Sequence, residues 1–256
     1  MMKVKSFAKV NLMLKVIKKR EDGYHELQML NKRIPLFDEI VITKSENDEI
    51  VFIHEEVDPT YLYNVLKQIK NIYNIEKNYQ IVITKNIPLG SGLGGASMNA
   101  TTIINAILED NNINETLENK INYFKNLGAD VPYGFVNDVA IVEGIGENIH
   151  VIKSKSLPPL VLVNPGVFIS TKDVFENNKV YSKKYTHEDI IKSDIYENDL
   201  ETSAFEICPS LALLKQKLSA YGKVVMSGTG SSLIVHTNEI EKIKKEYPDY
   251  LVVKIN

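Results

Sequence analysis

The feature that most constrains this chain is a glycine-rich stretch, PLGSGLGGASM, at residues 88–98. It follows a strand-like run, YQIVITKNI (79–87), and precedes a helix-like pattern of apolar residues. Gly90, Gly92 and Gly95 form the pattern G-x-G-x-x-G, which is typical of loops that bind phosphate through backbone N–H groups at a helix N-terminus. Because dense glycines raise the entropic cost of folding, a functional loop is favoured over an ordinary turn.

Two common phosphate-binding loops do not match this spacing. A Walker-A loop has Lys and then Ser or Thr directly after its last glycine, whereas Gly95 is followed by Ala96 and Ser97. A dinucleotide-binding fold has an acidic residue about 20 positions further on, at the end of a second strand. Glu115 lies at that distance, but in a polar passage without a β-branched run. The pattern that remains is a loop that holds a triphosphate mainly through main-chain donors.

The bulk composition indicates which partners to expect. The chain is 44% hydrophobic and 25% charged, as in ordinary globular proteins, and its net charge of −3 predicts no recruitment of nucleic acid or anionic membrane. No apolar run approaches the ~20 residues of a membrane span, and the N-terminal segment lacks a signal-peptide or transit-peptide pattern. The single cysteine, Cys208, cannot form an internal disulfide. We therefore expect a cytoplasmic protein, monomer or homodimer, whose partners are small molecules.

The first part of the chain reads as strands followed by helices. Residues 2–17 alternate like a strand or a bent strand pair, and Asp22-Gly23 predicts a turn after them. Two short strands are expected at 38–45 and 48–55, paired as a meander. Apolar residues at helical spacing then predict a helix over 60–75.

The second part begins after a polar segment with two prolines, KSKSLPP (153–159), which is the best candidate for a domain boundary. We therefore divide the chain into an N-terminal domain, 1–154, and a C-terminal domain, 155–256. Strands and helices alternate in the second domain and predict a split βαβ, ferredoxin-like sandwich. The strands are expected at 160–164, 223–226, 232–236 and 250–255, and the helices at 171–177, 186–194, 210–220 and 238–247.

Two further segments are suited to a phosphate site. MSGTGSSLIV (226–235) places a turn of small residues between two strands, where backbone N–H groups can contact an anion. GADVPYG (128–134) carries a carboxylate, Asp130, in an irregular segment between a helix and a strand. On local pattern alone, Asp130 would be read as an ordinary helix-terminus aspartate.

Together with FAKVNL (7–12), these segments resemble the GHMP kinase superfamily of small-molecule kinases. The resemblance covers most of the chain, and the segments DGYHEL, GADVP and GIGE select one branch within the superfamily. It implies an α+β, two-domain GHMP kinase fold with a cleft between an N-terminal domain like ribosomal protein S5 domain 2 and a C-terminal ferredoxin-like α/β sandwich. The implied activity is transfer of phosphate from ATP to the 2-hydroxyl of a cytidine diphosphate-linked methylerythritol, in the non-mevalonate route to isoprenoid (terpenoid) precursors.

The resemblance also implies roles for individual residues. Lys9 and Asp130 match the catalytic pair at the substrate hydroxyl, and Asn64 matches a position that contacts adenine. The positions matching the ATP phosphate loop are Pro88, Leu89, Gly90, Ser91, Gly92, Leu93, Gly94, Gly95, Ala96, Ser97 and Met98. The positions matching the substrate site are Asn11, Tyr24, His25, Thr171 and Phe175. Tyr24 and Phe175 would stack on the cytosine, and His25 would hydrogen-bond its polar edge.

The loop departs from the family pattern at two positions. Ala96 stands where glycine is common, and Met98 where serine is common. Mg²⁺ is expected to arrive with ATP, and Ser97 is the hydroxyl left to approach phosphate or metal.

Two alternatives stay open from sequence. One is another kinase of the superfamily, for example one acting on mevalonate, for which Tyr24, His25 and Phe175 would have no base to bind. The other is a non-catalytic relative that binds ligands, against which the intact Lys9, Asp130 and glycine loop argue.

Overall fold

The computed structural model describes residues 1–136, 138–153 and 155–256. The described chain folds into two β-sheets with helices packed on them. The strands are β1 (Met2–Lys19), β2 (His25–Ser45), β3 (Glu49–Ile53), β4 (Asn78–Thr84), β5 (Ala140–Gly144), β6 (Asn148–Val151), β7 (Leu160–Asn164), β8 (Val224–Met226), β9 (Leu233–His236) and β10 (Leu251–Lys254). The helices are α1 (Thr60–Tyr73), α2 (Gly95–Asp110), α3 (Leu117–Phe124), α4 (Val131–Gly134), α5 (Thr171–Glu176), α6 (His187–Lys192), α7 (Glu201–Ile207), α8 (Pro209–Leu218) and α9 (Ile240–Glu246).

A long antiparallel hairpin, β1–β2, organises the first sheet. Its turn contains Asp22 and Gly23, as the sequence predicts, and Gly23 takes a φ of +86°. The strand β2 changes partner along its length: residues 27–31 pair with β5, and residues 39–45 pair with β4. The expected meander is wrong, because β3 runs parallel to β4 and does not pair with β2.

Helices α1 and α2 pack on this sheet because each presents a wide apolar face. Leu62, Leu66 and Ile69 of α1 recur at helical spacing and are buried, which confirms the helix predicted over 60–75. In α2, Ile103 and Ile104 belong to the same apolar cluster as the strand residues. Helix α2, which follows the glycine loop, is therefore fixed by apolar contacts with the first sheet and with α1.

The second sheet has the strand order β10-β7-β9-β8, and every pairing in it is antiparallel. With α5–α8 between β7 and β8, and α9 between β9 and β10, this is the βαββαβ arrangement of a ferredoxin-like sandwich. The sequence prediction of this architecture is confirmed; α7 is a helix that the sequence pattern did not indicate.

The second sheet is apolar on both faces. Along β7, Val161 and Val163 pack into one apolar cluster, whereas Leu160 and Leu162 pack into another that contains Val10 and other β1 residues. The two parts of the chain therefore share their core. The division after residue 154 stays a prediction, and Ser154 itself lies outside the described residues. Within the described ranges, every helix is too short or too polar to cross a lipid bilayer.

Candidate active site

The glycine loop leads into helix α2, whose uncapped N-terminus lies at a cavity. Gly94 is the N-cap of α2 with a φ of +70°, and no side chain caps the helix there. The first turn of α2 contains no acidic residue, so its N–H groups and positive dipole end face the cavity without a competing anion. These are the conditions under which a helix N-terminus binds phosphate.

Close backbone packing fixes the shape of this loop. Gly92 has a φ of +73°, and a Cβ placed on it would lie 2.2 Å from the Ser227 carbonyl oxygen. Ser227 Oγ donates a hydrogen bond to the Gly92 carbonyl oxygen at 3.1 Å, and the Ser232 N–H donates to the Ser91 carbonyl oxygen at 3.2 Å. The glycine loop and the 226–235 turn therefore support each other, as two small-residue segments can.

Lys9 and Asp130 meet beside this loop. The Lys9 Nζ lies 3.2 Å from the Asp130 Oδ2, and the Lys9 side chain is only 5% exposed. Asp130 precedes α4 but its carboxylate does not cap that helix, which leaves it available to the cavity. The Lys9 main chain also donates to the Leu93 carbonyl oxygen at 3.0 Å. Lys9 of β1 thus supports the glycine loop through its main chain and places its ammonium group beside the Asp130 carboxylate.

Asn11 extends this polar cluster from the same strand. Its Oδ1 accepts a hydrogen bond from the Lys9 Nζ at 2.8 Å, and its Nδ2 donates to the Asn31 Oδ1 at 2.6 Å. Lys9 and Asn11 are two positions apart in an unbroken part of β1, so their side chains lie on the same face and both line the cavity. Across the cavity, the Thr171 and Thr229 hydroxyls lie 3.1 Å apart.

The other end of the site is aromatic. The buried His25 ring stacks on Phe175 at 5.1 Å and lies 6.5 Å from Tyr181, so it sits between the two rings. Burial, assisted by the positive charge of Lys19, lowers the pKa of His25 below its usual value. A neutral imidazole has one donor and one acceptor nitrogen, which suits the polar edge of a base.

One cavity of about 320 Å³ lies between these groups. Its lining brings together most of the residues predicted from sequence, namely Lys9, Asn11, residues 88–97, Asp130, Thr171 and Phe175. Four predicted residues lie outside the lining. Asn64 is exposed on α1, Tyr24 is 61% exposed in the β1–β2 turn, Met98 is packed in the core, and the buried His25 reaches the cavity only through its contact with Phe175.

Sequence reasoning missed several residues at the site. Lys85 lines the cavity below the start of α2 and forms a buried ion pair with Asp38. Its place directly before the glycine loop was a usable signal. Gly228 and Thr229 belong to the turn that was predicted only as a segment. Tyr181 lies in a polar stretch with no recognisable pattern.

Known proteins with the same architecture identify the class. Residues 60–144 match the family described as GHMP kinases N terminal domain. A mevalonate kinase of Methanococcus jannaschii superposes with a TM-score of 0.70 at 15% identity, over 99% of this chain and 97% of that one, a likeness of fold. The fold and the loop therefore define a GHMP-type small-molecule kinase.

More similar relatives narrow the class. The 4-diphosphocytidyl-2-C-methyl-D-erythritol kinase of Clostridium beijerinckii is 31% identical over 99% of both chains, and that of Clostridium botulinum strain Langeland is 38% identical over 90% of this chain and 88% of that one. A solved 4-(cytidine 5'-diphospho)-2C-methyl-D-erythritol kinase matches with a TM-score of 0.82 and 25% identity, over 100% of this chain and 99% of that one. The chain belongs to the 4-diphosphocytidyl-2-C-methyl-D-erythritol kinase family, which confirms the branch indicated by sequence.

Proposed function

We propose that this chain transfers the γ-phosphoryl group of ATP to the 2-hydroxyl of 4-diphosphocytidyl-2-C-methyl-D-erythritol, giving ADP and the 2-phosphate, in the cytoplasm. The observation that carries the proposal is the Lys9–Asp130 pair, 3.2 Å apart, beside the uncapped start of α2 in a cavity that extends to Phe175. A phosphate-binding end, a reacting centre and an aromatic end occur there in the order that such a substrate requires.

Asp130 accepts the proton of the attacking hydroxyl in this proposal. Phosphoryl transfer depends mainly on positioning and on neutralising the charge spread over the moving group. The oxygen of the substrate hydroxyl attacks the γ-phosphorus while its proton passes to the carboxylate and the bond to the ADP oxygen breaks. Lys9, whose Nζ lies 3.2 Å from the Asp130 Oδ2, neutralises charge at the centre. Asn11 holds the Lys9 ammonium in place through its Oδ1.

Mg²⁺ enters with the nucleotide in this proposal. Mg²⁺ takes oxygen ligands and commonly binds through one or two carboxylates together with substrate phosphates. Among the described residues that line the cavity, Asp130 is the single carboxylate, and Ser97 offers a hydroxyl at the start of α2. This donor set fits an ion held largely by ATP, with Asp130 and Ser97 nearby. When bound, the ion would neutralise phosphate charge.

The remaining assignments place the two substrates at opposite ends of the cavity. Residues 88–97 and the adjoining, buried Met98 form the loop around the triphosphate, and Asn64 on the exposed face of α1 contacts the adenine outside the cavity lining. At the other end, Phe175 and His25 hold the cytosine, Thr171 contacts the diphosphate side, and the exposed Tyr24 covers the base from the β1–β2 turn.

The test measures ADP release by the purified protein with ATP, Mg²⁺ and either the cytidine substrate or mevalonate. We expect turnover with the cytidine substrate alone, lost in Asp130→Asn and retained in a control at the exposed Asp249, Asp249→Asn. Turnover with mevalonate alone would assign the site to another kinase of the superfamily. ATP binding without turnover on either substrate would indicate a non-catalytic relative.

A further inference from the structure

Away from the cleft, a carboxylate and two imidazoles converge from three elements. Glu143 lies near the end of β5, His150 lies on the neighbouring strand β6, and His187 begins α6. The Glu143 Oε2 lies 3.1 Å from the His187 Nε2 and 3.8 Å from the His150 Nε2. The two imidazole rings have their centroids 4.5 Å apart, and one ligand atom from each residue lies within 4.8 Å of the others.

The Glu143 carboxylate is held in the orientation that this cluster needs. Its Oε1 accepts a hydrogen bond from the Nε2 of the buried Gln28 at 3.0 Å, which leaves the Oε2 facing the histidines. Burial acts to raise the pKa of Glu143, but hydrogen bonds from His187 and Gln28 outweigh it, and the pKa is lowered. Outer partners that fix a carboxylate in this way are common around protein metal ions.

The cluster is accessible, and the lysine near it faces the carboxylate oxygen that points away from the histidines. Lys184 Nζ lies 3.6 Å from the Glu143 Oε1 and 3.0 Å from the Glu26 Oε1, and the Lys18 Nζ also lies 3.3 Å from the Glu26 Oε2. The surface depression beside Glu143 and His150 contains Glu118 and Glu147 as well as Lys184, so its carboxylates outnumber its ammonium groups and favour an incoming cation.

We propose that Glu143, His150 and His187 form a binding site for one divalent transition-metal ion of the Zn²⁺ type. Zn²⁺ binds imidazole nitrogen and carboxylate oxygen about 2.0–2.2 Å away, which places two ligand atoms of a tetrahedral site about 3.3 Å apart. The observed separations of 3.1 and 3.8 Å lie on either side of that value. With water as a fourth ligand, the set is complete. Two nitrogen ligands disfavour Mg²⁺, which prefers oxygen.

The bound ion fastens the segment that carries Tyr181. The chain between α5 and α6 already contacts the first sheet, because Gln28 exchanges two hydrogen bonds of 2.9 Å with the Tyr185 main chain. A metal at His187 adds a second attachment just beyond this point. The proposed ion thus joins three elements of the fold, remote from the phosphate chemistry and linked to the wall of the aromatic end.

Equilibrium dialysis of the metal-free, full-length protein against Zn²⁺ in Mg²⁺-free buffer tests this site. We expect one Zn²⁺ per chain, and an affinity at least about tenfold lower in His150→Asn and in His187→Asn, since even outer-shell partners contribute 10–100-fold. His54→Asn is the matched control, because His54 is an exposed histidine on another loop. Circular dichroism establishes that each variant is folded.

Three outcomes with Zn²⁺, and one with Mg²⁺, would overturn the proposal. The first is wild-type protein that retains no Zn²⁺. The second is retention that stays unchanged in both histidine variants. The third is retention that is lost in Cys208→Ser, which would assign the ion to the partly buried thiol. Dialysis against Mg²⁺ is expected to leave the cluster unbound, and tight Mg²⁺ retention that depends on His187 would contradict the assigned ligand chemistry.

Discussion

The phosphate end and the aromatic end of the cleft are built in different ways. Main-chain groups form the phosphate end: an uncapped helix start and glycines in contact with other backbone atoms. Side chains form the aromatic end, where His25 lies between Phe175 and Tyr181. Backbone contacts leave no room for an added Cβ, whereas a ring can be exchanged without moving the chain. Substitutions at the first end should therefore affect folding and catalysis together, and those at the second should affect substrate affinity.

The largest effect is expected where the phosphate end meets the reacting centre. Lys9→Met removes the ammonium beside Asp130, and kcat should fall about 10²–10³-fold, as on loss of one preorganised charge-stabilising group. Lys15→Met is the matched control, because Lys15 is a buried lysine of the same strand paired with Glu197 and Asp199.

Losing that second lysine should lower the free energy of unfolding by about 1–3 kcal/mol, since it removes the cation from the largely buried Asp199, while Glu197 is partly exposed and Asp199 keeps its hydrogen bond from the Val16 N–H. The kcat of the folded Lys15→Met protein should stay near the wild-type value. Steady-state kinetics and urea unfolding separate the two variants. Equal losses of kcat would mean that Lys9 is structural.

Two glycines of the same loop test the role of the backbone. Gly92→Ala combines a left-handed conformation, unfavourable by about 1–2 kcal/mol for a residue with a Cβ, with a backbone oxygen 2.2 Å away. Gly95→Ala lies in a helix, and its Cβ would meet side chains alone, the Ile87 Cγ2 at 3.2 Å and the Lys85 Nζ at 3.4 Å. Urea unfolding should show a loss of more than about 2 kcal/mol for the first variant and less than about 1 kcal/mol for the second. Similar losses would show that the loop adjusts freely.

Two phenylalanines at opposite ends can separate nucleotide from substrate binding. Phe175→Ala should raise the KM for the cytidine substrate about 5–150-fold, because stacking on a base contributes about 1–3 kcal/mol. Phe168, whose ring lies against Gly90, is 69% exposed, and Phe168→Ala should raise the KM for ATP by a few-fold only. Initial-rate measurements with each substrate varied in turn distinguish the two effects. An equal change in both KM values in either variant would contradict the division.

The smallest expected effect is the pH dependence of the aromatic end. The pKa of His25 is lowered from its ordinary value of 6.5, mainly because of burial, so the neutral imidazole persists to a lower pH than in an exposed histidine. The KM for the cytidine substrate should rise as the pH falls and His25 takes up a proton, and the midpoint of that rise should lie below pH 6.5. In His25→Gln the rise should be absent. A midpoint at or above pH 6.5 in the wild type would mean that the pKa is not lowered.

Local sequence patterns were sufficient to predict helices, strands and the order of elements in the second sheet. They were insufficient to predict which strands pair when the partners are distant in the chain. The α1 face, the strand at β7 and the ferredoxin-like order all follow from periodicity and connection length. The single long strand β2 was not foreseen, because its two halves pair with different strands. The meander was wrong for the same reason, since a strand pattern does not identify its neighbour.

The site residues were likewise predictable only where their conformation depends on nearby residues in the chain. The glycine loop could be read from spacing, because its conformation depends on its own residues. The local pattern around Asp130 indicated only an ordinary helix terminus, and its contact with Lys9 exists only after β1 and α4 pack together. Tyr181 gave no signal, because its position beside His25 depends on how a polar segment crosses the first sheet.

The buried second sheet has a consequence for the chain as it leaves the ribosome. β7 pairs on one side with β10 (Leu251–Lys254), so this edge is unpaired until residues 251–254 have been made. Exposed strand edges promote aggregation, and synthesis proceeds at about 5–20 residues per second. The 226–235 turn also belongs to this sheet, so the nascent chain has no finished phosphate site. We expect a ribosome-bound chain arrested before Leu251 to bind no ATP, although it contains the whole glycine loop.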